Sequence, residues 1–179
     1  MLSCSNKKIY IVLSQTGALT SKVLKLFTKD NYNHVSIALS PTLKEMYSFG
    51  RRYKYFPFIG GFVEEGKDIG TFQRFANTEV MVLELSVTVE EYNAVKYFIY
   101  YFVAHKKNFR YSYLGVFLAL FNKQQKSTKK FYCSQFVKLC LTLCNIDNSK
   151  ELPNVVKPMD FLKLKSKKII YSGLLRNYK

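Results

Sequence analysis

The alternating run His34-Val35-Ser36-Ile37-Ala38-Leu39, with Ser40-Pro41-Thr42 and then Lys44–Phe49 behind it, constrains the fold more than any other stretch. Its period of two belongs to a strand with one face buried, and the turn residues send the chain back as a hairpin. Lys8 to Ser14 reads as a buried strand ahead of it, with Gly17 as a turn and Thr20 or Ser21 capping a short helix to about Phe27. Val80 to Val87 is a further strand. Thr88-Val89-Glu90-Glu91 then forms a capping box that opens a helix to about Phe102, striped by Val95, Phe98, Ile99 and Phe102. A helix from Cys133 to near Cys144-Asn145 comes next, and Lys168 to Ser172 is a closing strand. Strands early, helices later and one last strand predict an α+β fold, its sheet mostly antiparallel and packed against helices. With 179 residues, 48% hydrophobic content, four prolines and no repeat, the whole span 1–179 reads as one domain.

Between these elements lie three stretches of special composition. Gly50 to Phe62 reads as an aromatic, glycine-rich loop holding Arg51, Arg52, Gly60 and Gly61. Tyr113 to Phe121 is an apolar stretch well below the roughly 18 residues a membrane span needs. Directly after it comes the basic loop Asn122 to Lys130; the pair could rest on an anionic membrane surface, and a core helix with a solvated loop explains them equally well.

The four cysteines form neither a disulfide framework nor a zinc site. Cys133, Cys140 and Cys144 share one helix, where Cys133 and Cys140 stand roughly 10 Å apart along the axis, too far for a disulfide. Cys140 and Cys144 fall on its apolar face as small core residues. No C-x-x-C pair is present. Unpaired cysteines and no secretion signal predict a reducing, cytoplasmic setting. The formal net charge is +16, and no acid occurs from Tyr92 to Ile146. Such a field draws nucleic acid, anionic lipid or acidic polymers without choosing among them, and a solvated lysine-rich surface explains it as well.

Cys133 stands where a polar loop becomes an apolar-periodic helix, in Phe131-Tyr132-Cys133-Ser134-Gln135-Phe136-Val137. Free amides and the positive end of the helix dipole both favour its thiolate, the reactive form. His34 opens the alternating strand, and a helix-start cysteine facing a strand histidine is the constellation of thiol hydrolases. His105, before Lys106-Lys107, reads as a solvated or helix-end histidine, and Glu64 and Glu65 as loop surface that could also line the cleft.

In order, Tyr32–Leu39, Glu45-Met46-Tyr47-Ser48-Phe49-Gly50 and Phe131–Val137 resemble the circularly permuted NlpC-type branch of the papain-like cysteine hydrolases. In that branch the histidine strand precedes the cysteine. Relatives of lecithin:retinol acyltransferase and several bacterial hydrolase-like groups belong to it. The resemblance implies a papain-like fold, Cys133 as nucleophile and His34 as general base and then acid. It also implies a third polar residue on the next strand. Ser48 aligns best, whereas Glu45 is the better orienter of an imidazole and is slightly favoured. Tyr111 or Tyr113 would help the Cys133 amide hold an oxyanion, Tyr132 being the alternative. Arg51 or Arg52 would bind an acidic group of the substrate.

The same resemblance implies acyl-enzyme chemistry on an intracellular peptide, amide or lipid ester. That chemistry needs no metal or organic cofactor and fits a monomer by default. Peptidoglycan fits poorly in the absence of a signal peptide. The alternative is an inactive binding module of the same fold, using its basic surface on nucleic acid or anionic membrane.

Overall fold

In the computed structural model, residues 6–15, 31–52, 59–75, 77–146 and 149–179 are described. The expected helix to Phe27 and Cys4 lie outside them.

Strand β1 (Lys7–Gln15) is the axis of the molecule, because six consecutive residues, Ile9 to Ser14, are buried and both its edges are paired. β2 (His34–Ala38) and β5 (Glu79–Val87) flank it, and β3 (Met46–Arg51), β4 (Gly60–Glu65) and β8 (Lys167–Leu174) complete the sheet. The order is β4-β3-β2-β1-β5-β8, every neighbouring pair antiparallel. This is the expected α+β class with an antiparallel sheet. A short parallel pair, β6 (Arg110–Tyr111) with β7 (Lys130–Phe131), lies apart from it.

Alternation along the strands sorts the core into two faces. Ile9, Ile11, Leu13, Val35, Ile37 and Phe49 point to one, where α2 (Val89–Ala104) and α4 (Cys133–Leu143) pack with Phe102, Phe136 and Cys140. Phe49 is the hub of that side, with the rings of Phe131 and Phe136 each 5.3 Å away. Tyr10, Val12, Ala38, Met46 and Val82 point to the other face. Phe72 of α1 (Gly70–Arg74) covers it together with Leu175 and Tyr178.

Local chemistry sets the helix bounds. Thr88 Oγ1 accepts from the Glu91 amide at 3.1 Å and Glu91 returns the contact to the Thr88 amide at 2.8 Å, the capping box read from sequence. α3 (Tyr113–Leu120) and α4 end alike, on Asn122 (φ 54) and Asn145 (φ 56). In each case the next amide reaches back, Lys123 to the Leu118 carbonyl and Ile146 to that of Leu141. Asparagine tolerates the left-handed conformation this closure needs. Cys140 and Cys144 are buried in the core, as expected.

The glycine-rich loop is corrected by the sheet. Chain expected as loop through Phe62 enters β4 at Gly60, and Glu64 and Glu65 belong to that strand. Gly60 and Gly61 are strand residues because their neighbours come too close for a side chain. A Cβ on Gly60 would stand 2.6 Å from Tyr111 Cβ, and one on Gly61 would stand 2.5 Å from the Arg52 guanidinium. Among the described residues, no helix is long and apolar enough to cross a membrane.

Candidate active site

Cys133 is the first residue of α4, and Tyr132 before it is extended and gives no side-chain cap. The helix begins its ladder only at the Phe136 amide, which donates to the Tyr132 carbonyl at 3.0 Å. The amides of the first turn, that of Cys133 included, are therefore outside the intrahelical ladder. The thiol is buried, and α4 packs against β2 and β3 so that the thiol meets the start of β2.

His34 and Cys133 lie close enough for each to shift the other's protonation. Its Nε2 lies 3.1 and 3.0 Å from the two carboxylate oxygens of Glu65. With Nε2 on the carboxylate, Nδ1 is the nitrogen left for the thiol. Ser36, one pleat further along the same face, donates to Glu65 Oε2 at 2.7 Å, its hydroxyl 3.3 Å from His34 Nε2, so the three groups close a small cluster. The ring and the carboxylate meet above Gly50, where a Cβ would lie 3.6 Å from Glu65 Oε1 and 3.7 Å from His34 Cε1.

The electrostatics push both partners toward the charged state. Burial works against a charged His34, but the Glu65 charge, with hydrogen bonds donated to Cys133 and Glu65, overrides it and holds the imidazole up at about 10. Burial also works against a Cys133 thiolate. The hydrogen bond and charge of His34, the Val35 amide and the Ser134 hydroxyl outweigh it, and the thiol titrates below its ordinary value. The imidazole is therefore protonated at neutral pH, and its charge draws the neighbouring thiol toward the thiolate.

Neither residue expected to orient His34 does so. Glu45 precedes β3 and accepts from the Tyr47 hydroxyl at 3.3 Å. Ser48 is fully buried and donates to the Val35 carbonyl at 2.6 Å, tying β3 to β2. The orienter is Glu65, one strand further out. The signal for it was a carboxylate at the end of an alternating run after two glycines, which becomes legible only once β4 is recognised.

Tyr111 and Tyr113 are both near, their rings 4.8 Å apart, but they are placed differently. Tyr111 lines the pocket at Cys133, and burial with the neighbouring thiolate pushes its phenol well up, so it remains a donor. Tyr113 is 48% exposed and does not line that pocket. Tyr132 lines the pocket too, its phenol pushed up to about 12 by burial and the Cys133 charge. Arg51 is half-buried at the end of β3, its guanidinium carbon 6.0 Å from the Phe75 ring centre. Burial and Arg74 lower its affinity for the proton, while Glu65, Tyr113 and Tyr111 favour its charge. Arg52 is committed elsewhere, donating to the carbonyls of Lys106 and Phe109. His105 caps the end of α2, as expected, with Nδ1 2.8 Å from the Tyr101 carbonyl oxygen.

The pocket is a narrow one of about 60 Å³, well below the roughly 300–1,000 Å³ of drug-sized sites. Its walls are largely apolar, with Tyr32, Val116, Ala119, Leu120, Val156 and Pro158 around the thiol. No family model, no curated protein and no solved structure matches the chain.

Replacing Glu65 by glutamine removes the charge that raises His34, and a neighbouring charge typically moves a pKa by about 1–3 units. Lowered by that much from about 10, the imidazole of Glu65→Gln is expected to lose its proton about 1–3 pH units sooner, whereas Glu45→Gln and Ser48→Ala are expected to leave that titration unchanged. The pH dependence of the His34 ring signals in NMR reads all three, and an unmoved titration in Glu65→Gln would remove Glu65 from the site.

Proposed function

We propose that the chain is a thiol hydrolase or acyltransferase of the permuted papain-like kind, forming an acyl-enzyme on Cys133 from an amide or ester. One observation carries this reading: a cysteine at the start of a helix is electrostatically coupled to a histidine whose Nε2 rests on a part-buried carboxylate. That is the arrangement of an activated nucleophile, its base and the base's orienter. The chain order, histidine strand before cysteine helix, agrees with a permuted topology.

In this mechanism Sγ of Cys133 attacks the substrate carbonyl carbon, and the carbonyl π electrons move to oxygen. The Cys133 amide and the Tyr111 hydroxyl donate to that oxyanion. As it collapses, the bond from carbon to the leaving nitrogen or oxygen breaks. His34, already an imidazolium, gives its proton to the departing group. Water, or an alcohol or amine acceptor, then enters. His34 takes its proton, the new bond to carbon forms, and the thiolate is released. Glu65 keeps the ring oriented and stabilises its positive charge throughout. The apolar walls beside the thiol suit an apolar acyl group.

The test is intact-protein mass spectrometry after incubation at pH 7 with p-nitrophenyl esters of short and medium chain length. A mass increase equal to the acyl group, mapped to Cys133 and absent from Cys133→Ala, with turnover of excess ester, is the expected result. A thiol left unmodified by every ester, in a protein whose circular dichroism shows it folded, would reduce the fold to a binding module.

A further inference from the structure

Helix α3 is apolar throughout, Tyr113-Leu114-Gly115-Val116-Phe117-Leu118-Ala119-Leu120, yet it is not a core helix. Gly115 and Ala119 are its buried residues. Gly115 allows the close approach to Ser112 and Gln125, since a Cβ there would meet Ser112 Oγ at 2.6 Å. On the outside, Leu114, Phe117 and Phe121 are 58%, 58% and 62% exposed. At i, i+3 and i+7 they make one continuous stripe, and the rings of Phe117 and Phe121 touch at 5.3 Å. Exposed large apolar side chains gathered on one helix are the informative exception on a protein surface.

The charge beside this stripe has a single sign. The turn at Asn122 leads straight into a loop on which Lys123, Lys126, Lys129 and Lys130 are all exposed. No carboxylate occurs between Tyr92 and Ile146 to neutralise them. Three kinds of partner carry negative charge, and they differ in what they offer the stripe. A nucleic acid would meet the lysines and leave Leu114, Phe117 and Phe121 in water. A protein interface would bury lysines that such interfaces usually exclude. The interfacial zone of an anionic bilayer takes both, apolar side chains among the acyl chains and ammonium groups at the headgroups.

We propose that α3 and the basic loop after it dock this protein on an anionic phospholipid bilayer. The helix, roughly 12 Å long, lies in the plane of the interface. Its inner residues Val116, Ala119 and Leu120 also wall the pocket at Cys133. Docking would thus bring the pocket to the lipid surface, where an acyl group can reach the thiol. That consequence rests on the function proposed above, whereas the docking itself does not.

Flotation of the full chain with vesicles of phosphatidylcholine, with and without phosphatidylserine, tests the docking at physiological salt. Binding to the anionic vesicles is expected to exceed binding to the neutral ones by about tenfold or more. Replacing Leu114, Phe117 and Phe121 together by serine is expected to weaken it by a similar factor. Lys123→Gln with Lys126→Gln and Lys129→Gln is expected to lower anionic binding and its salt sensitivity. The chain has no tryptophan, so Phe117→Trp supplies a clean reporter, even if the triple serine variant fails to fold. Its emission should shift to the blue on phosphatidylserine vesicles. The pH profile of Cys133 alkylation should stay unchanged in Phe117→Trp, which keeps a failure of docking separate from a failure of the thiol site. Absent binding, no blue shift, binding that ignores the serine replacements, or duplex DNA displacing the vesicles would each overturn the proposal.

Discussion

In the His34→Ala protein, alkylation of Cys133 by iodoacetamide is expected to climb about tenfold per pH unit from pH 6 to pH 8, while the wild-type rate stays nearly level. Burial alone raises the thiol's pKa and is the largest single influence on it; in the wild type the hydrogen bond and charge of His34 help to overrule it. Without the ring, the Val35 amide and the Ser134 hydroxyl remain, but neither carries a full charge. The thiol then returns to its ordinary value of about 8.5 or above, and at pH 6 only about 0.3% of it is thiolate. The more basic thiolate is intrinsically the better nucleophile, by a Brønsted slope of about 0.4–0.5, and this offsets part of the loss at any one pH. The slope against pH is therefore the discriminating quantity. Turnover of an ester has no such compensation, because the leaving group also loses its proton donor. A loss of about 10²–10⁴ is expected there. A level profile in His34→Ala would mean that some other group activates Cys133, and the Cys–His reading would fall.

The parts of this site that the sequence made legible are those carried by strong local signals. β1, β2, β5 and α4 arise from period and burial. His34 and Cys133 stand out by their positions at the start of a strand and of a helix. Glu65 could be read as a cleft residue but not as the partner of His34, and the reason is geometric. It reaches His34 across the sheet from two strands away, with Gly50 leaving the space between them. Gly60 and Gly61 carry the composition of a loop and sit in a strand because Tyr111 and Arg52 crowd them. A tertiary contact thus set the secondary structure there, and the carboxylate at the far end of that strand was hidden with it. The same limit applied to α3. From sequence this apolar run fits a core helix and a membrane-resting one equally well, and only its packing showed that Leu114, Phe117 and Phe121 face solvent.

Cys133→Ala should change how stability depends on pH, and the direction separates an ion pair from a neutral one. In the unfolded chain a histidine titrates near 6.5 and a cysteine near 8.5. Folding raises His34 to about 10 and lowers Cys133. As an ion pair of imidazolium and thiolate, the folded residues would hold one proton between about pH 6.5 and 8.5, and the unfolded pair also holds one, on the thiol. No proton is exchanged on unfolding, so the pair contributes a plateau there. Below about 6.5 the unfolded chain binds the extra proton and stability falls as pH falls. Above about 8.5 the unfolded thiol loses its proton while His34 keeps its own, so stability falls as pH rises toward about 10. Removing the thiol leaves His34 raised by Glu65 alone. Its contribution is then fully present below about 6.5 and drains away as pH rises through the raised value. Over the former plateau the Cys133→Ala protein should lose up to about 1.4 kcal/mol per pH unit relative to wild type. An isolated shift from 6.5 to about 10 sets the upper bound of the whole effect at about 5 kcal/mol. Urea midpoints of the two proteins at pH 6, 7, 8 and 9 measure the difference, in which titrations common to both cancel. Parallel curves across that range would mean that Cys133 and His34 are neutral together, and the thiolate the mechanism needs would have to form only when substrate arrives.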